Sequence, residues 1–394
     1  MDLNTIINKI DHDEVIKVVS DLINLPSVNP PGLEKAVAEY VCSFMSSKNI
    51  PWEILQIPES EERYNVIGKL KGKDSDHPLI FSGHMDVVPV SKEEEKRWKT
   101  APFEATIIDG LLYGRGSSDM KGGLGAAMVA MGFLADQRIT PSRDIILMAT
   151  VDEEDVMRGA KALVKSTFVQ GNEQYIICEP TGLAIHACGR GRTWAEILVK
   201  GQTAHASIQN AGINAIDKAL RLMNMIKEHE LSYTKHEILG DSFWQINLIQ
   251  AGIEPAIVPD SCVLTVDARL VPGQTSTGIW DEMAEIIRQL SEKDRDFNVE
   301  IEIIEQREPW ELSLEEKLVK VAERSCQANN LPVIHSGFMG TTDGAVFQKN
   351  GLKGLIVGPG KISNNVHSEN EYVAVQDLEN AAKFYTTMML DEDY

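Results

Sequence analysis

Short, almost uninterrupted apolar runs at 79–81, 145–151, 175–178 and 352–357 constrain this chain more than any other feature. A strand with one wet face alternates apolar and polar residues. A continuous run therefore marks a strand covered on both faces, the habit of parallel sheets. Between the runs lie stretches with apolar residues at helical spacing: 14–24, 33–47 and 120–135, then 314–329 and 375–389 after the middle of the chain. The run 124–135, rich in small residues, reads as a buried helix. Ser313 and Glu316 stand at capping-box spacing for the helix predicted over 314–329. The pattern predicts an α/β fold: a mixed, mostly parallel sheet flanked by helices.

From about residue 183 the texture changes. A strand over 194–200, a helix over 213–227, strands over 243–251 and 262–270, a helix over 278–291 and a strand over 298–304 follow in that order. This is the order of a split β-α-β unit. After residue 308 the first texture returns. The reading is a catalytic domain in two parts, 1–183 and 305–394, interrupted at 184–304 by a smaller α+β domain of ferredoxin-like type. That insert would cover one sheet face with its two helices and leave an edge free. A free edge invites a second copy, so a homodimer is expected.

Charge narrows the partners. Lys plus Arg is 38 and Asp plus Glu is 59, so the net charge is 38 − 59 = −21. That balance repels phosphate backbones and anionic lipid, which excludes nucleic acid and membrane surfaces as expected partners. It suits divalent cations, for which carboxylates are hard oxygen ligands. No apolar run reaches the roughly 18 residues that span a bilayer. Residues 1–15 lack the apolar core of a signal peptide. Five scattered cysteines favour a reduced, cytoplasmic protein.

Certain polar residues fall where ligands gather in α/β sheets, beyond the carboxyl ends of strands. His84 and Asp86 follow the run 79–81. Asp152, Glu153, Glu154 and Asp155 follow 145–151. Glu179 follows 175–178, His367 lies in the loop after 352–357, and Asp119 stands just before a helix. Taken singly these are weak. A lone His-x-Asp is usually a surface or capping pair, and an acidic run is usually a solvated turn. The glycine-rich stretch 114–123 fits neither phosphate template, and Asp119 would repel a phosphate. Together they are different. Two histidines and several carboxylates suit Zn²⁺, Co²⁺ or Mn²⁺. Carboxylates crowded in one cleft repel unless cations neutralise them, and one carboxylate bridging two ions ~3.5–4 Å apart is the usual solution.

Gly83-His84-Met85-Asp86-Val87-Val88-Pro89, Gly114-Arg115-Gly116 with Asp119-Met120-Lys121-Gly122-Gly123, and the pair Glu153-Glu154 resemble the signatures of a metallohydrolase family. Its members include acetylornithine deacetylase, succinyl-diaminopimelate desuccinylase, aminoacylase and glutamate carboxypeptidase. Glu179-Pro180-Thr181, Gly201 with Ala204-His205-Ala206-Ser207, and His367-Ser368 with Asn370-Glu371 extend the likeness in the same order. It runs from about Ser27 to the C-terminus.

The resemblance implies a dizinc hydrolase of linear amide or peptide bonds, with Co²⁺ or Mn²⁺ as alternatives. His84 and Glu179 resemble the ligands of one metal, Glu154 and His367 those of the other, and Asp119 the bridging carboxylate. Glu153 resembles the general base and Asp86 the carboxylate that orients His84. On an extended chain Glu153 and Glu154 could not both face one ion. His205 resembles the oxyanion donor, supplied across a dimer to the partner's metals; read alone it is a polar turn residue. Arg269 is a candidate for a substrate carboxylate, or else a structural ion pair with Asp267 or Glu254. A cis peptide after Asp119 is also implied.

Two positions depart from the family pattern. Ala256 precedes Ile257-Val258-Pro259-Asp260 where the family often has Asn, and Gly340-Thr341-Thr342-Asp343 replaces a Gly-Thr-Ser-Asp stretch. Glu at position 179 is the family's choice in deacylases and Asp its choice in carboxypeptidases. The expected substrate is therefore an N-acylated amino acid, with a dipeptide, cut by the same centre, as the alternative.

Overall fold

In the computed structural model, which describes residues 3–58, 60–208 and 211–394, the apolar runs lie side by side as parallel strands. The first two residues of the N-terminal stretch 1–15 fall outside the described ones. Asp74–His84 pairs in parallel with Arg143–Thr150 on one side and Gln174–Ile177 on the other, and Lys353–Ile356 pairs in parallel with Gln174–Ile177. Trp52–Gln56 and Tyr64–Leu70 add antiparallel strands at one margin, and Ile185–Gly189 adds one beside Lys353–Ile356. The sheet is mixed with a parallel centre, as the runs predict. Every residue of Arg143–Thr150 is buried.

Successive strand residues point to opposite faces. Phe81 meets Tyr385 of the helix Val375–Leu390 edge-on, ring centres 5.2 Å apart, on the face that also carries the helices His12–Ile23 and Lys121–Asp136. Tyr175 meets Phe347 of the helix Asp343–Lys349 at 5.3 Å. In Lys121–Asp136 all residues from Lys121 to Leu134 are buried, so the helix has no solvent face to pattern. Its glycines are required by close approach. A Cβ on Gly123 would stand 1.8 Å from the carbonyl oxygen of Cys178, so only glycine lets this helix press against the strand end before Glu179.

The chain divides into two compact units. One holds the residues up to Ala187 with Leu312–Ser336 and Thr342–Tyr394; the other holds Cys188–Glu311 with Gly337–Thr341. In the second unit Phe243–Ala251, Ser261–Leu270, Gly191–Lys200 and Asn298–Arg307 form an antiparallel sheet in that spatial order. The helices Ala215–Glu228 and Ser276–Lys293 bury Leu222, Ile226, Met283 and Ile286 against Ile197, Leu264 and Val266. Phe243–Ala251 and Asn298–Arg307 are the edges of this sheet.

The capping box at Ser313 and Glu316 does not form. The helix there is Lys317–Ala328, with Glu316 at the N-cap and no side-chain cap bond. Ser313 and Glu316 close a tight turn instead: the Glu316 N–H bonds the Ser313 carbonyl at 3.0 Å. Lys353 draws the Glu316 carboxylate away at 2.7 Å. Among the described residues no helix is long and apolar enough to cross a membrane.

Candidate metal centre

Strand register brings the candidate ligands together. His84 lies opposite Thr150, and Ser82 opposite Ile177, so the residues just past these three strand ends emerge at one rim of the parallel sheet. Glu153, Glu154 and Glu179 follow there. Asp119 reaches the same rim from the start of Lys121–Asp136, and its peptide bond to Met120 is cis. His367, with φ of 61°, comes from the loop between Lys353–Ile356 and Tyr372–Ala374. All lie within the first unit.

Asp119 faces one histidine with each oxygen. Its Oδ1 is 3.0 Å from His84 Nε2, and its Oδ2 is 3.3 Å from His367 Nε2. Glu179 Oε1 lies 3.6 Å from His84 Nε2, and Glu154 Oε1 lies 3.1 Å from His367 Nε2. Glu153 Oε2 is 4.0 Å from His84 Nε2. Among the described residues, two groupings have ligand atoms all within 4.8 Å of one another and could hold an ion: His84 with Glu153 and Glu179, and His84 with Asp119 and Glu154. Distance alone therefore leaves Glu153 within reach of an ion as well.

The hydrogen bonds fix which nitrogen of His84 faces the rim. Nδ1 is 2.9 Å from the backbone carbonyl oxygen of Asp86, which can only accept, so Nδ1 carries a proton and Nε2 is the nitrogen an ion at the rim would take, in exchange for the proton it shares with Asp119. The Asp86 carboxylate stands 3.6 Å from Nδ1, beyond a good hydrogen bond. In this arrangement the Asp86 carbonyl, not its carboxylate, orients His84. The carboxylate accepts the backbone N–H groups of Glu153 at 3.2 Å and Glu154 at 3.1 Å, and the Asn29 amide at 2.8 Å. The two glutamates sit in a turn after Asp152, whose φ is 69°, not on an extended chain.

Charge makes the cluster a cation site. Burial, and then the charge on Asp119, hold the Glu179 carboxyl well above its usual range; the same two causes raise Glu154. Burial works against ionising Asp119, but His367 and His84 outweigh it and keep the carboxyl low. Burial also works against a charged His84, yet Asp119 and the neighbouring carboxylates lift its pKa well above normal. Asp119 and Glu154 lift His367 to about 10. With neutral imidazoles, Asp119, Glu153, Glu154 and Glu179 carry four negative charges, the amount two divalent ions cancel. The donors are nitrogen and oxygen. Cys178, next to Glu179, is a buried thiol pushed up to about 12 and supplies no thiolate. The donor set fits zinc, cobalt or manganese.

Of the groups behind the turn, the sequence singles out Asp152 but not Asn29, Arg63, Arg158 or Glu34. Asn29 Nδ2 also reaches Asp152 Oδ1 at 3.2 Å. Asp152 in turn meets Arg63 at 2.8 Å and Arg158 at 2.9 Å, and Arg63 holds the fully buried Glu34. The peptide bonds Asn29-Pro30 and Pro30-Pro31 are cis, which a sequence does not announce.

Two candidates lie in the second unit. His205 is exposed, and its Nδ1 accepts the backbone N–H of Ser207 at 3.2 Å. The proton of a neutral His205 therefore sits on Nε2, which is left as a donor. Arg269 Nε lies 3.0 and 3.1 Å from the two oxygens of Asp267, so the structural ion pair is present.

The sequence profile of peptidase family M20/M25/M40 matches residues 80–391. The chain is 28% identical over 391 residues to a probable succinyl-diaminopimelate desuccinylase of Staphylococcus aureus, covering 91% of this chain and 93% of the relative. It is 26% identical over 418 residues to N-formyl-4-amino-5-aminomethyl-2-methylpyrimidine deformylase of Bacillus subtilis, covering 96% and 93%. Its fold is similar to that of a tripeptidase from Staphylococcus aureus, with a TM-score of 0.79 at 19% identity, over 96% of this chain and 98% of the other.

Proposed function

This chain belongs to peptidase family M20/M25/M40 and is a metal-dependent hydrolase, and on that footing we propose that it removes the acyl group from an N-acylated amino acid. Two observations support the deacylase reading over the peptidase one: near full-length similarity to a desuccinylase and a deformylase, and glutamate rather than aspartate at position 179. The observation that carries the chemistry is Asp119, with one oxygen on each histidine.

His84 and Glu179 would hold one ion, Glu154 and His367 a second, and Asp119 both. Zinc is the first choice, with cobalt or manganese possible. Two such ions supply a polarised carbonyl and an acidified water. The rest falls to side chains. The Glu153 carboxylate takes the proton from the attacking water and delivers it to the nitrogen of the leaving amine. His205 donates from Nε2 to the oxyanion of the tetrahedral intermediate, from the other subunit of a homodimer. Arg269 keeps a role at a substrate carboxylate only by sharing itself with Asp267. Five free cysteines, four of them buried, suit a reducing cytoplasm.

A panel of N-acetyl, N-succinyl and N-formyl amino acids against dipeptides, each with added Zn²⁺, Co²⁺ or Mn²⁺, tests the reading. Acylated amino acids should turn over at the higher kcat/KM. Dipeptides turning over faster would replace the deacylase reading with the peptidase one.

A further inference from the structure

The loop that carries Asp119 and the loop that carries His367 meet on one buried carboxylate. Glu371 is fully buried. Its Oε1 accepts three backbone N–H groups, from Gly116 at 3.1 Å, Ser118 at 3.0 Å and Asp119 itself at 3.1 Å. Its Oε2 takes Arg115 Nη1 at 2.8 Å. Converging N–H groups of this kind form a nest for an anion, and here the anion is a side chain. Gly116 makes the nest possible, with φ of 88° and a turn no L-residue adopts easily.

The other end of the clamp is the His367 loop, because Glu371 is four residues beyond His367. Its own carbonyl accepts the Gly114 N–H at 3.1 Å. Arg115 Nη1 reaches the Ser368 carbonyl at 3.3 Å, and Ser118 Oγ reaches the Tyr372 carbonyl at 2.7 Å. Arg115 is braced on its far side by Glu94 at 2.7 Å. Nothing in this arrangement touches a reacting atom. It joins the loop of Asp119 to the loop of His367, whose facing atoms Oδ2 and Nε2 are 3.3 Å apart.

We propose that Glu371 is the positioning residue that holds Asp119 and His367 at the separation a second metal ion needs. The inference rests on the reading of those two residues as ligands. Glutamine cannot replace Glu371. It has one acceptor oxygen and one NH₂ group, so either the backbone nest or Arg115 would face a donor. Groups that orient metal ligands typically carry 10–100-fold in metal affinity.

The test is calorimetric titration of the metal-stripped full chain with Zn²⁺, with folding followed by circular dichroism. Wild type should bind two ions. Glu371→Gln should keep one near wild-type affinity and weaken the other by about 10–100-fold. Raising Zn²⁺ should restore kcat with KM unchanged, a rescue that a purely structural loss would not give. Glu371→Asp, read in its place if the glutamine variant does not fold, should weaken the same ion by less. Two ions bound by Glu371→Gln as tightly as by wild type would overturn the inference alone. Fewer than two ions on wild type would overturn the reading beneath it. Failure of both variants to fold would place Glu371 in the folding of the domain and likewise defeat the inference.

Discussion

The buried carboxylate of Asp86 accepts the backbone N–H of Glu153 at 3.2 Å. It accepts Glu154 N–H and the Asn29 amide as well, so one side chain aims the turn that carries both glutamates. Asp86→Ala takes the acceptor from the Glu153 and Glu154 N–H groups, at ~1–3 kcal/mol for each such group where it is buried, and leaves the Asn29 amide with Asp152 alone. We expect a lower urea midpoint and loss of most turnover. Asp86→Asn, which keeps one acceptor, should fall between wild type and alanine in stability. An alanine variant as stable and active as wild type would show that the turn is held by something else.

Complementation tests the action of His205 across a dimer. Glu153→Ala and His205→Ala should each be nearly inactive. Co-expressed, half the dimers are mixed, and in a mixed dimer one site carries both lesions and the other neither. About a quarter of wild-type activity should then return, on the symmetric-dimer model. Mixed dimers that form but stay at single-mutant activity, or a fully active monomer, would show that His205 does not act across the interface.

The parallel centre of the sheet is legible because burial on both faces leaves its mark on every residue of a strand, as in 145–151. Three of the candidate ligands are legible for the same reason: His84, Glu154 and Glu179 are polar residues at or just past the ends of such runs, whereas Asp119 stands at a helix start and His367 in a loop. Groups that act through backbone geometry leave no such mark. Asp86 orients His84 through a carbonyl that any residue possesses, and a nest of N–H groups around Glu371 has no side-chain pattern. Ser313 and Glu316 show the opposite error, a local pattern overridden by a distant lysine.

Glu154→Ala should lose one of two ions, since Glu154 Oε1 and Asp119 Oδ2 are the carboxylate oxygens nearest His367 Nε2. Elemental analysis after dialysis against limiting Zn²⁺ should find about one ion per chain, by the two-site assignment. A variant that keeps both ions would move Glu154 out of the ligand set.

Stability should fall below neutrality through His186. Burial pulls its pKa down to about 4, against ~6.5 for a free imidazole. The unfolded chain therefore binds more protons between these values. The contribution is complete above ~6.5 and is lost as pH falls through the interval towards about 4. By pH 5 the loss is on the order of 2 kcal/mol. His186→Gln should flatten the urea midpoint between pH 7 and pH 5. An unchanged slope in the variant would assign the acid sensitivity to other groups.

In the proposed mechanism Glu153 moves the proton while its neighbours hold the metal. Turnover of Glu153→Ala, measured on protein shown to carry two ions per chain, tests this. Both ions should be retained and kcat should fall by roughly 10²–10⁴-fold. Undiminished kcat, or a variant that cannot hold its second ion, would contradict it; in the latter case Glu153, 4.0 Å from His84 Nε2, would be a ligand and not the base.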